Sequence, residues 1–141
     1  QSDVRIGLVS IDRKDKRYYQ LEVLATALGG SFTSRLNNRL REQLGITYGV
    51  RAGDDYRVQP GPFIISTAIV TASTGQGLSE TMKILDDLAT TDLPKDELEK
   101  AKQNMIRQLP SMFDTNASTT AICDELRGVR CPRDDWRPGK R

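Results

Sequence analysis

Val4, Ile6 and Leu8 alternate with Arg5, Gly7 and Val9, the period of two expected of a strand with at least one buried face. This first strand is expected to run to about Ile11. The period then lengthens, because Leu21, Leu24, Ala25 and Leu28 recur at helical spacing until Gly29-Gly30 stops the helix. A second helix is expected from Ser34, carried by the stripe Leu36, Leu40 and Leu44, with Ser31 or Thr33 as candidate caps. Gly45 falls just past its end, where a left-handed residue is favoured.

Alternation returns at Ile46, Tyr48, Val50 and Ala52. After the break at Pro60-Gly61-Pro62 it resumes from Phe63 to Thr71, so these two runs are expected to form an antiparallel pair. Met82, Leu85, Leu88 and Ala89 mark a helix between Ser79 and Ala89. Leu93-Pro94 opens another through Leu98, Ala101, Met105, Ile106 and Leu109, which Pro110 ends or kinks. A last helical stretch is expected from about Asn116 to Leu126, and beyond it no periodicity survives. Strands and helices do not strictly alternate, so the order predicts an α+β fold with a mainly antiparallel sheet covered on one face by helices. Residues 1–126 are read as the domain and 127–141 as an irregular basic tail.

Composition narrows the chemistry more than the fold. The 141 residues are enough for one core, and 21 Lys+Arg against 19 Asp+Glu leave a net charge of +2 that points to no polyanionic partner. Nucleic-acid binding through the Arg-rich second helix and tail is disfavoured on that ground. The chain has no His, which excludes Ser-His-Asp and Cys-His nucleophiles, an imidazole proton shuttle, and zinc sites that need imidazole. No window approaches the ~20 apolar residues of a membrane span. Gln1-Ser2-Asp3-Val4 has neither an initiator Met nor a signal-like pattern, so the sequence is expected to start inside a longer precursor. The mixed-sign cluster Asp12-Arg13-Lys14-Asp15-Lys16-Arg17 reads as a solvated turn. Cys123 and Cys131 are read as free thiols, with a disulfide left open.

One long string is more specific. Leu28-Gly29-Gly30-Ser31-Phe32-Thr33-Ser34-Arg35-Leu36 is followed by Leu40-Arg41-Glu42-Gln43-Leu44-Gly45-Ile46-Thr47-Tyr48-Gly49-Val50. It resembles the C-terminal, non-zinc domain of the insulinase/pitrilysin family of zinc metallopeptidases, which includes the mitochondrial processing peptidase. The likeness extends more loosely from Val4 to about Met105, including Leu93, Pro94, Glu97, Leu98, Ala101 and Lys102, and it fails after Leu126.

The resemblance implies a processing-peptidase-like half domain of a clam-shell enzyme, inactive alone. The other half would supply zinc through His-x-x-Glu-His, so no cofactor is expected in this chain. By the same analogy Arg41 and Tyr48 are the catalytic residues contributed by this half. The implied partners are a peptide substrate, a zinc-bearing half or subunit, and a homo-oligomeric copy. A bacterial periplasmic or envelope location is a further expectation from the family alone.

The chemistry of the pair follows from the side chains. A carbonyl oxygen under attack by water gains negative charge, and donors already aimed at it stabilise the transition state more than the ground state. Arg offers a permanently charged fork, and Tyr an O–H that need not ionise. The bland alternative makes Arg41 a helix-end cation and Tyr48 a half-buried strand aromatic. The Gly29-Gly30 turn reads equally as a gate kept free of side chains or as a plain helix stop. Arg35 and Arg39 are expected to have a structural or surface role. A non-catalytic scaffold of the same fold is the second functional reading.

Overall fold

The computed structural model describes residues 1–56, 59–121 and 123. The tail from 127 onward, the end of the last helical stretch and the Cys123–Cys131 question lie outside the described residues.

Three strands, β1 (Ser2–Val9), β2 (Thr47–Asp54) and β3 (Pro62–Ile69), form an antiparallel sheet in the order β1-β3-β2. β3 is therefore central, pairing along its whole length with β1 from Ser2↔Ile69 to Val9↔Pro62 and with β2 from Thr47↔Ile69 to Asp54↔Phe63. One face of the sheet carries Val4, Ile6, Val50, Ala52, Phe63, Ile65 and Ile69, and these pack with Leu28, Leu36, Leu40 and Ile46 from the segments around the helices. Leu36, Leu40 and Ile69 are the largest fully buried side chains. Cutting any one back to Ala is worth ~2–5 kcal/mol.

The helices differ from the sequence expectation in ways that have physical causes. α1 (Tyr18–Ala25) runs on as a π-helical turn, π1 (Thr26–Gly30). The next helix is wound mostly as π2 (Asn37–Gln43), an unusually long π segment. Its first i→i−4 bond goes from the Asn38 N–H to the Ser34 carbonyl (2.8 Å), so Ser34 stands at the cap position and not Ser31 or Thr33. It ends as anticipated, with Gly45 at φ 62°.

α2 (Thr74–Thr90) starts well before Ser79 because two glycines interrupt its apolar pattern. One of them, Gly77, is required by packing, since a Cβ there would come within 2.5 Å of Ile69 Cδ1. α3 (Lys95–Gln108) begins immediately after Pro94, and Pro110–Phe113 is a 3₁₀ turn, so Pro110 does end the helix.

Two arginines of the second helix fasten α2 and α3 to it. Arg35 Nε donates to Glu97 Oε2 (2.6 Å) and its Nη1 to Asp87 Oδ2 (3.0 Å), while Arg39 Nε donates to Glu80 Oε2 (2.8 Å). The structural reading of both arginines holds.

Candidate functional site

The helix-free face of the sheet is a shallow concavity of about 580 Å³. Its floor carries Asp3, Arg5, Ser66, Ala68 and Arg51, and its wall is built by Gly29, Gly30, Ser31 and Phe32. Tyr48 also lines it and is 87% exposed, so the expectation of an ordinary half-buried strand aromatic does not hold. Its hydroxyl makes no hydrogen bond among the described residues and is available to a bound molecule.

A bulge aims Tyr48 outward. Between Thr47 and Val50 the β2 register slips against β3, so Thr47 pairs with Ile69 and Val50 with Thr67. Two steps on β3 thus face three on β2, which turns both Thr47 and Val50 inward and accommodates one extra residue in the Tyr48-Gly49 pair. Hydroxyls hold the distortion: Thr47 and Thr67 lie 2.8 Å apart, Thr47 donates to the Ala68 carbonyl (2.8 Å), and Thr67 donates to the Gly49 carbonyl (2.9 Å).

The outer edge of β2 at this point is sealed by a side chain. Asn37, 5% exposed, accepts from the Val50 N–H at 2.8 Å and donates to the Val50 carbonyl at 2.9 Å, as a neighbouring strand would. The same Nδ2 donates to the Ser31 carbonyl (2.9 Å) and lies 3.1 Å from Ser34 Oγ. One amide therefore ties the wall of the concavity, the start of the second helix and the strand that carries Tyr48.

Arg41 lies in the last turn of π2 with its side chain 27% exposed. Its guanidinium stacks over the Phe32 ring at 3.7 Å, a cation–π contact. Its Nη1 sits 3.0 Å from Glu42 Oε1 but in no hydrogen-bonding alignment, so that buried nitrogen has no hydrogen-bond partner. Arg41 does not itself line the concavity, whereas Phe32, on which it stacks, lines it together with Tyr48.

Gly29 has a packing role that neither sequence reading anticipated. A Cβ there would lie 2.7 Å from Ala52 Cβ and 2.9 Å from the Ala52 backbone nitrogen, so only Gly lets π1 approach β2 closely enough to form the wall. Asn37, Phe32, Arg5 and Arg51 were also missed. The available signal for Asn37 was an Asn-Asn pair set into a leucine-striped helix, where polar residues are otherwise read as solvent-facing.

The described residues do not fit a zinc site. The chain has no His, and among the described residues no group of three or more His, Cys, Asp or Glu side chains is placed to hold a metal ion. No helix among the described residues is long and apolar enough to cross a membrane.

Comparison with known proteins agrees with the fold. Residues 1–105 match the family described as the peptidase M16 inactive domain. An uncharacterised zinc protease of Bacillus subtilis is 32% identical over 119 residues, covering 83% of this chain and 29% of the relative. One of Streptomyces coelicolor is 31% identical over 101 residues, covering 72% of this chain and 22% of the relative. The chain thus spans less than a third of the length of these relatives.

Among solved structures, the peptidase M16 inactive domain from Pseudomonas fluorescens superposes with a TM-score of 0.79 at 24% identity, over 94% of this chain and 32% of that one. A chain of complex III2 from Candida albicans reaches a TM-score of 0.75 at 12% identity, over 90% of this chain and 32% of that one. At such identities these likenesses establish the fold alone. With residues 1–105 matched by the family model and the α+β fold in agreement, this chain belongs to the peptidase M16 inactive-domain family.

Proposed function

We propose that this chain is the non-zinc half of a zinc-dependent metallopeptidase, contributing a peptide-binding face and oxyanion donors to a site whose metal is held by another domain or subunit. The observation that carries the reading is the placement of Tyr48: 87% exposed, on a strand bulge, in a concavity shared with the Phe32 ring on which Arg41 stacks. An exposed aromatic with an unused hydroxyl costs apolar exposure, and the bulge that projects it is held by several dedicated hydrogen bonds.

The donors would act on a peptide carbonyl as its oxygen becomes anionic. The Tyr48 O–H donates directly, while Arg41 leaves the Phe32 face to bring its unsatisfied Nη1 to the same oxygen. An extended peptide lies over the open sheet face, with main-chain groups available for pairing at a strand edge.

The test is complementation. The purified chain is mixed with a zinc-bearing partner half, and cleavage of a quenched fluorescent peptide is followed. Tyr48→Phe is expected to lower the restored rate about a hundredfold, the ~3 kcal/mol that one lost oxyanion donor is worth. Arg41→Ala is expected to act in the same direction. No gain in activity on mixing, or variants that cleave like the parent, removes the catalytic assignment.

A second reading, a non-catalytic scaffold, draws on the fold shared with a chain of complex III2 from Candida albicans. It requires that no zinc-bearing half accompany this chain, and it predicts a stable complex that gains no peptidase activity.

A further inference from the structure

The register sets two arginines on either side of Ser66 on the open face. Arg5 of β1 and Arg51 of β2 both pair with Ser66 of β3, so the three form one row across the sheet. All three line the concavity that Tyr48 and Phe32 border. Cross-strand neighbours stand about 5 Å apart, so the two guanidinium groups can reach toward a common point above Ser66, where its hydroxyl supplies a third donor.

The row is under-neutralised. Arg51 is exposed and has no ion-pair or hydrogen-bond partner among the described residues. Among the described residues Arg5 meets only Asp3, at 3.6 Å with both side chains more than two-thirds exposed, a loose pair worth little. Among the described residues Asp3 is the sole carboxylate lining the concavity, against two guanidinium groups. These arginines differ from Arg35 and Arg39, whose charges are consumed by carboxylates on α2 and α3.

We infer that the Arg5–Ser66–Arg51 row is a subsite for an acidic side chain, Asp or Glu, of a peptide lying across the concavity. This rests on the proposal that the concavity is a peptide-binding face, and names the class of peptide it prefers. A carboxylate held between two guanidinium forks gains charge-assisted, partly bidentate hydrogen bonds, and Phe32 and Tyr48 give the flanking residues ring surfaces to rest on. A basic side chain at the same place meets two like charges and only one carboxylate.

The experiment is fluorescence anisotropy with short labelled peptides that differ only in a central Glu-Asp-Glu, Gln-Asn-Gln or Lys-Arg-Lys, titrated with the full chain. The acidic peptide is expected to bind best, and its advantage over the Gln-Asn-Gln peptide to vanish at ~1 M salt. Arg5→Gln and Arg51→Gln are each expected to weaken it roughly fivefold without changing the melting temperature, because both side chains are exposed. Lys16→Gln, which removes an equal charge elsewhere, is expected to have no effect.

Equal binding of acidic and neutral peptides overturns the inference while leaving a peptide-binding face intact. Equal weakening by Lys16→Gln reduces it to net charge and overturns it too. A short single-stranded oligothymidylate that binds more tightly than the acidic peptide assigns the row to a different polyanion. No binding by any peptide removes the peptide-face reading along with the subsite.

Discussion

Asn37→Ala tests how the sheet edge beside Tyr48 is held. The substitution deletes one acceptor and one amide group that together satisfy the Val50 N–H, the Val50 carbonyl and the Ser31 carbonyl. Val50 is 3% exposed, so its two backbone groups lose their partners where water reaches them poorly. A buried polar group left without a partner costs ~1–3 kcal/mol, giving about 2–6 kcal/mol for the pair, and partial entry of water brings the expectation to about 3 kcal/mol. Against a typical domain stability of ~5–15 kcal/mol that is a large fraction.

The assay is urea denaturation followed by far-UV circular dichroism, with the slope checked for constancy so that the midpoint shift reads as stability. Amide exchange at Val50 should accelerate in parallel. Asn37→Asp sharpens the test. It keeps the acceptor for the Val50 N–H but sets a second oxygen against two carbonyls, which raises the carboxyl's folded-state pKa above its unfolded value near ~3.9. The variant is therefore most penalised at neutral pH and recovers relative to the parent as pH falls and the carboxyl becomes a donor. A loss below about 1 kcal/mol for Asn37→Ala, or no pH-dependent recovery for Asn37→Asp, would refute the edge-sealing argument.

Further expectations follow from other contacts. Gly29→Ala forces a methyl to within 2.7 Å of Ala52 Cβ, and a loss of ~1–3 kcal/mol in the same denaturation assay is expected as π1 is pushed off β2. Arg35→Lys, which cannot reach Asp87 and Glu97 with one planar fork, is expected to lower the melting temperature where an exposed Lys→Arg change does not. Hydrogen bonds from Lys83, then from Arg39, hold the Glu80 carboxylate below its ordinary 4.5, so its contribution is complete above that value and is lost as pH falls through the depressed one. Thermal melts of Glu80→Gln between pH 6 and 3 should show a shallower acid decline than the parent. Tyr48→Phe should leave stability within about 0.5 kcal/mol, since the hydroxyl touches nothing that folding uses.

The alternating runs and the helical leucine stripes were legible because the core enforces them: Val4, Ile6, Ile65 and Ile69 turn inward at every second position, and Leu36 and Leu40 reach full burial. Gly45 was legible because a left-handed residue after a helix is a local backbone demand. What escaped depends on contacts between distant segments. Asn37 looks like a surface polar residue until Val50, thirteen positions away, is folded against it. Gly29 and Gly77 look like breakers until Ala52 and Ile69 fill the space their side chains would take. The bulge was hidden because Ile46, Tyr48 and Val50 keep an even spacing in sequence, whereas the slipped register sends Tyr48 and Val50 to opposite sides. Of the anticipated pair, Tyr48 lines the concavity and Arg41 does not, its guanidinium lying on Phe32, an aromatic the family string contains but whose contact its spacing does not reveal.

The central position of β3 also constrains how the molecule assembles. β2 and β3 are neighbours in sequence and can zip together as a hairpin, but β1 must find β3 from the far end of the chain, after the entire helical stretch between them has been gathered in. Such a long-range closure is slow compared with hairpin or helix formation. β1 is thus expected to dock last, and the transient species that precedes it presents the naked flank of β3 to any other chain in solution, a hazard for refolding at high concentration.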